Sequence, residues 1–394
     1  MSLIPHATAR NCPTAGLRHN KPSGQSAAAR GRIDVTKLLI GEAMSEGDTG
    51  NPVVRWPARP FGRAKLPVTV LGLGGAPIGN QFGEVSEADA VETLEQAWNC
   101  GIRYFDVSPL YGFGLAEHRF GQVLRMCNRD DFLLSTKVGR LLTPSPHGRG
   151  DRSNFKNTLA FDHIFDYGYD GIMRSFEDSL QRLGLARVDV LYVHDCPDEE
   201  AFRLATGDGF RALSGLREQG VISSIGVGVN DLDLARRFIE AADFDCFMIA
   251  SYVAYTLLTP EAHDEFLPLC QQRDISVVVG GVMASGILAT GATPNAVFRN
   301  KQAEPDVLTK VALMERVCAS HGISLTAAAL QFPLAQPTIK TVLAGARSAE
   351  QMRSNVTNIS APIPDGFWSD LKNEGLLRSD LPVPTRFGLA SGAS

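Results

Sequence analysis

GIRYFDVSPLYGFGLAEHRFG, residues 101–121, holds an apolar run that closes on an acid, Asp106, and a phenol, Tyr111, five residues later. It reads as a strand that delivers a carboxylate at its end, a loop that presents the phenol, and then a helix. Alone, such a pair is a turn former and a half-buried aromatic. Two later runs change that reading. FLLST at 132–136 is followed at once by Lys137, and VDVLYV at 188–193 is followed at once by His194. Three strands thus end on an acid, an ammonium and an imidazole, with a phenol beside the first.

Outward from these strands, helical periods alternate with short apolar runs. Helical stretches at 87–100, 116–127 and 171–183 lead into strands at 102–105, 132–135 and 188–193. Stretches at 210–219, 232–241 and 262–273 lead into runs at 222–227, 244–249 and 275–279. LGLGG at 71–75 opens the series, and 339–343 closes it after helical periods at 307–320 and 325–334. Each run is almost continuously apolar, as a strand covered on both faces must be. Eight strands alternating with helices predict an α/β fold, the (β/α)8 TIM barrel. In that fold the active site lies at the C-terminal strand ends, and parallel neighbours are ~4.8 Å apart. Asp106, Lys137 and His194 are therefore expected to meet.

These residue types suit proton transfer at a carbonyl or alcohol. A tyrosine titrates near ~10 and needs a cation beside it to trade protons near neutrality. Lys137 supplies the cation, and Asp106 keeps a lysine in apolar surroundings charged. His194 orients the substrate oxygen or shares the proton. No obvious nucleophile accompanies them, so proton transfer coupled to hydride transfer is the natural reaction.

The chain has 394 residues, 44% hydrophobic and 21% charged, with a net charge of -5. That balance is ordinary for a globular enzyme and gives no electrostatic reason to expect nucleic acid or an anionic membrane as partner. Seven cysteines form no CxxC pair and no metal-finger spacing, which points to reduced thiols and a cytoplasmic setting. No HExxH or His/carboxylate cluster appears, so no metal is expected. His6, His19, His118, His147, His163, His263 and His321 read as surface or packing residues, and DCPDEE, from Asp195 on, as a polar loop. Residues 1–60, rich in Ala, Ser, Gly, Pro and Arg, predict a disordered extension. Pro5, Pro13 and Pro22 argue against a transit helix there, and Met44 offers a native start that would leave 1–43 outside the protein. The barrel is expected over 61–360, with a C-terminal tail over 361–394. The long segment 139–168, with Phe155, Phe161, Ile164 and Phe165, is expected to be a lid or substrate-binding loop.

A two-domain dinucleotide fold would need GxGxxG between a strand and a helix. Gly72-x-Gly74 is followed by Pro77, and Gly112-x-Gly114 by Glu117, so both candidates fail. The quartet Asp106, Tyr111, Lys137 and His194, in the contexts FDVSPLYG, STKVG and LYVHD, instead resembles the catalytic tetrad of the aldo-keto reductases. The likeness runs over about 66–359. It is strongest to the branch of D-threo-aldose 1-dehydrogenase, L-fucose dehydrogenase and pyridoxal 4-dehydrogenase, through LGLGGAPIGN (71–80), SPLYGFGLAEHRFG (108–121), 166–195 and GVGVN (226–230).

The resemblance implies Tyr111 as general acid/base and a nicotinamide nucleotide extended over the barrel mouth. Asn230 matches the position near the carboxamide. Tyr255, with Tyr252 as rival, matches the aromatic that stacks on the nicotinamide. Ser285, Gly286 and Leu288 match the pyrophosphate loop. Residues 344–355, with Gly345, Arg347, Gln351 and Asn355, match the adenosine end. Members selective for NADP carry Lys and Arg where this chain has Gly345 and Gln351, so NAD is expected, with Arg347 and Arg353 leaving NADP as the alternative. The implied reaction oxidises an aldose of the L-fucose type to its lactone. Pyridoxal oxidation and carbonyl reduction are the alternatives, and a nucleotide-binding redox-sensor subunit is the alternative of another class.

Overall fold

The computed structural model describes residues 56–385. The extension up to residue 55, the alternative start at Met44 and residues 386–394 lie outside the described residues. Eight parallel strands close into a barrel: β1 Leu71–Gly74, β2 Tyr104–Asp106, β3 Leu133–Val138, β4 Val190–His194, β5 Ser224–Val229, β6 Cys246–Ile249, β7 Ser276–Gly280 and β8 Ile339–Gly345. β8 pairs with β1, Val342 against Leu71, so that no strand of the barrel is an edge. The expected alternation and all eight strands are present.

Two apolar layers hold the barrel. Inside it lie Tyr104, Tyr192, Cys246, Met248, Val278 and Leu343, and outside it the strands' other faces pack against the helices. The two inner tyrosines explain two glycines. A Cβ on Gly226 would lie 2.5 Å from the Tyr192 ring, and one on Gly72 would lie 2.8 Å from the Tyr104 ring. The helices bury one stripe each, as in Tyr169–Leu183 with Ile172, Phe176 and Leu183.

Several segments depart from the simple alternation. The hairpin Ala58–Phe61/Leu66–Thr69 puts Phe61 and Val68 into the inner core. The expected boundary at residue 61 therefore falls on the last residue of its first strand. DCPDEE is more than a polar loop, because Asp198 accepts from the Ala201 N–H and starts a helix at Glu199. Beyond residue 360, the helix Asp365–Asn373 buries Phe367, Trp368 and Leu371 against the barrel's helices, so the expected tail begins as part of the core.

The segment after β3 forms two antiparallel hairpins, Arg140–Pro144 with Phe161–Phe165 and Gly150–Arg152 with Phe155–Thr158. The second is sewn to the loops after β1 and β2. Phe82 donates its N–H to Asn154 O (2.7 Å), Lys156 to Asn80 O (3.0 Å) and Leu159 to Gly112 O (3.1 Å). Asn80 is held in turn by the buried Arg119, whose Nη1 donates to its Oδ1 at 2.9 Å.

Candidate active site

Adjacent strand ends bring the quartet together. Asp106 ends β2, Lys137 lies near the end of β3, and His194 ends β4. Lys137 Nζ donates to Asp106 Oδ2 at 2.7 Å and to Val107 O at 3.1 Å. The other carboxylate oxygen accepts from Ser135 Oγ at 2.7 Å. Both charged groups are 2% exposed, so the pair is enclosed. Tyr111, on the tight 108–113 turn, places its ring centroid 4.7 Å from Lys137 Nζ. Its ring meets the His194 ring edge-on at 6.3 Å and stacks on Phe155 at 6.1 Å.

Burial pushes the Tyr111 phenol up, and Lys137 pulls it back. Burial also works to lower the Lys137 ammonium, but Asp106 and Tyr111 more than offset it, so its pKa is raised and its charge secured. Asp106 is pushed up by burial against the pull of Lys137. His194 is held well below its ordinary value by burial, with Arg140 and Lys137 adding to the effect. The imidazole is thus neutral. Its Nε2 lies 3.5 Å from Asp195 Oδ2, an acceptor, and its Nδ1 lies 3.2 Å from Ser108 Oγ, a hydroxyl able to donate. That arrangement favours the tautomer with the proton on Nε2. The site is a phenol tuned by an ammonium beside a neutral imidazole donor, which is equipment for moving one proton at a substrate oxygen.

Several contributors had no place in the sequence reading. Ser108 lies inside the opening stretch, but its partner is 86 residues away. Arg140, on the first strand of the segment after β3, reaches Asp195 Oδ2 at 3.4 Å. Asp195 is a site residue rather than part of a polar loop, and it accepts from Asn230 Nδ2 at 2.9 Å. Of the histidines read as packing residues, His163 lies on the first hairpin after β3, against Phe113 and Phe165.

The expected cofactor positions divide. Asn230 follows β5 at the mouth, and its Oδ1 is buried without a hydrogen-bond partner among the described residues. Tyr255 is corrected: it is fully buried, stacked on Phe332 at 4.9 Å with its hydroxyl on Gln336, and has no face to offer a nicotinamide. Tyr252, in the short turn after β6, is 43% exposed and is the aromatic at that edge. Ser285 and Gly286 take left-handed φ of 62° and 104°, and a Cβ on Gly286 would meet nothing within 4 Å, leaving open space above the loop. Leu288 is corrected to a packing residue, fully buried with its N–H given to Met283 O.

At the far end, Ser348 caps the helix Ala349–Ser360, and Gln351 Oε1 accepts from Arg347 N at 2.9 Å. Asn355 ties this helix to Gly345 O at 3.1 Å, and Arg347 lies over Gly83. Arg353 is bound to Gln96 Oε1 at 2.8 Å. An orphaned acceptor, an open glycine turn and a capped helix N-terminus fit a carboxamide-bearing dinucleotide.

Comparison with known proteins agrees with this geometry. The model of the aldo/keto reductase family matches residues 70–373. Pyridoxal 4-dehydrogenase of Microbacterium luteolum is 43% identical over 336 residues, covering 81% of this chain and 97% of the relative. D-threo-aldose 1-dehydrogenase of a Pseudomonas species is 36% identical over 319 residues, covering 80% and 96%. Among solved structures, an aldo-keto reductase of Bacillus halodurans in its holo form superposes with a TM-score of 0.64 at 24% identity, covering 83% of this chain and 98% of that one, a likeness of fold.

Proposed function

Because this chain belongs to the aldo/keto reductase family and is an oxidoreductase, we propose that it oxidises a cyclic hemiacetal to a lactone with NAD, using Tyr111 as general base. The observation that carries the reading is Lys137 Nζ, 2.7 Å from Asp106 Oδ2 and 4.7 Å from the Tyr111 ring centroid. The ammonium favours the phenolate, the carboxylate keeps the ammonium charged, and the phenolate takes the hydroxyl proton of the substrate. His194 holds the same oxygen in place with its Nε2–H, which the long 3.5 Å approach to Asp195 Oδ2 leaves available to a nearer acceptor. When bound, the nicotinamide accepts the hydride released from the adjoining carbon. In the reverse direction Tyr111 returns its proton to the carbonyl oxygen.

Two substrates of this chemical class are supported by the relatives. Pyridoxal closes on its own hydroxymethyl group to a hemiacetal, and aldoses of the L-fucose type close to pyranoses, so one proton-and-hydride removal yields a lactone from either. The aromatic lining made by Tyr111 and Phe155 favours a flat ring, and the relative at 43% identity is named for pyridoxal. NAD is favoured over NADP because Gly345 offers no side chain, Gln351 is uncharged and spends its Oε1 on the Arg347 N–H, and Arg353 is engaged by Gln96.

The test is the near-ultraviolet absorbance of reduced nucleotide formed from NAD or NADP with pyridoxal, L-fucose, L-galactose and D-arabinose. Turnover with NAD on pyridoxal is expected, with loss of activity but not of nucleotide binding in Tyr111→Phe. Turnover that survives in Tyr111→Phe removes the mechanism. Nucleotide binding without turnover on any substrate would favour a sensor.

A further inference from the structure

We propose that Asp195 is a positioning residue for the cofactor carboxamide: its carboxylate fixes the amide of Asn230 so that the amide oxygen is turned toward the nicotinamide as an acceptor. The inference rests on the nicotinamide-dependent reading above and adds a residue to it.

The argument begins with what each group can do. An ionised carboxylate only accepts hydrogen bonds, whereas an asparagine amide has one accepting arm and one donating arm. Asp195 Oδ1 lies 2.9 Å from Asn230 Nδ2, so the donating arm is committed to the acid. The accepting arm must then point the other way. That arm, Asn230 Oδ1, is buried and has no hydrogen-bond partner among the described residues. A buried acceptor left unpaired is unfavourable, and a primary carboxamide brings the N–H that pairs it.

Asp195 is itself held fast. Its second oxygen faces Arg140 Nη2 at 3.4 Å and His194 Nε2 at 3.5 Å. The Tyr167 hydroxyl sits over the turn, 2.5 Å from His194 O and 2.9 Å from Asp195 O. The Asp195 backbone takes a left-handed φ of 37°, a conformation that Asp tolerates better than most residues. The end of β4, the strand carrying Arg140 and the end of β5 thus meet at one carboxylate. Without it, the amide of Asn230 is free to turn over and oppose its own N–H to that of the cofactor.

The test removes the cofactor's donor and the protein's carboxylate separately. Fluorescence titration compares NADH with its 3-acetylpyridine analogue, in which a methyl group replaces the carboxamide nitrogen, for the wild type, Asp195→Ala and Asp195→Asn. The wild type should prefer NADH on the order of tenfold, the worth of one paired buried acceptor. Asp195→Ala should lose most of that preference because NADH weakens while the analogue does not. Asp195→Asn, whose amide oxygen still accepts from Asn230, should retain more of it than the alanine variant. Equal weakening of both dinucleotides in Asp195→Ala, or an unchanged preference, overturns the assignment and leaves the nicotinamide reading standing. A wild type that binds neither dinucleotide overturns the nicotinamide reading and this one with it.

Discussion

Replacing Lys137 by methionine removes the cation that tunes Tyr111 and keeps most of the side-chain volume. With the 4.7 Å from Nζ to the ring centroid as the charge separation and an effective dielectric of ~20, the lost attraction is ~3.5 kcal/mol, or ~2.6 pH units. Oxidation needs the phenolate, so its alkaline-rising limb should move up by about two to three units, and the rate at a fixed pH below that limb should fall by ~10²- to 10³-fold. The limb for reduction, which needs the phenol, moves up as well. The assay is a pH profile of kcat in both directions.

The same variant leaves Asp106 buried without its partner, which costs about 3–5 kcal/mol when the acid is charged. Burial already raises the Asp106 pKa, and without Lys137 it rises further. A carboxyl whose folded pKa lies above its unfolded value contributes stability below the unfolded value, ~3.9, and loses it as pH rises through the folded one. Lys137→Met should therefore resist thermal unfolding better in acid than at neutrality, measured against the wild type at each pH. The double variant Asp106→Asn/Lys137→Met buries no unpaired charge and should show an upward shift of the limb that is smaller, because Asp106 itself pushes the Tyr111 phenol up. A limb that stays within about half a unit of the wild type in both variants would refute the idea that the ammonium tunes the phenol.

His194 gives a second pH signature. Its folded pKa lies well below ~6.5, so beneath that pH the unfolded chain gains a proton that the folded one refuses. Wild-type stability should fall by up to ~1.4 kcal/mol per pH unit relative to His194→Asn as acid is added, and parallel denaturation curves for the two would contradict this. Phe155, 3% exposed and stacked on Tyr111, should act through placement of the phenol. Phe155→Ala is expected to lower kcat by ~10- to 100-fold while NADH affinity is kept, and an unaltered kcat would remove that stacking from the mechanism.

The barrel was legible because buried parallel strands leave continuous apolar runs, and the quartet because each member directly follows or closely flanks such a run. Ser108, Arg140 and Asp195 left no comparable mark. Each is defined by a partner on another strand, and a polar residue in a loop has no periodicity to betray its direction. Tyr255 shows the converse failure. The motif position was right in type, yet that ring packs into the core against Phe332, and Tyr252, three residues earlier, is the one left outside. The segment 139–168 stood out by length and aromatic content, but its two hairpins did not. Their strands are short and carry little of the apolar alternation that a half-buried strand shows.

The fastening of the second hairpin to Asn80, Phe82 and Gly112 runs mainly through main-chain groups. Such stitches are indifferent to which side chains the hairpin carries. The side chains at 153, 154, 156 and 157 can thus be exchanged to remodel the ceiling around the phenol without unpicking the seam, whereas Phe155, which seats the Tyr111 ring, has to stay if the proton-handling machinery is to be left as it is.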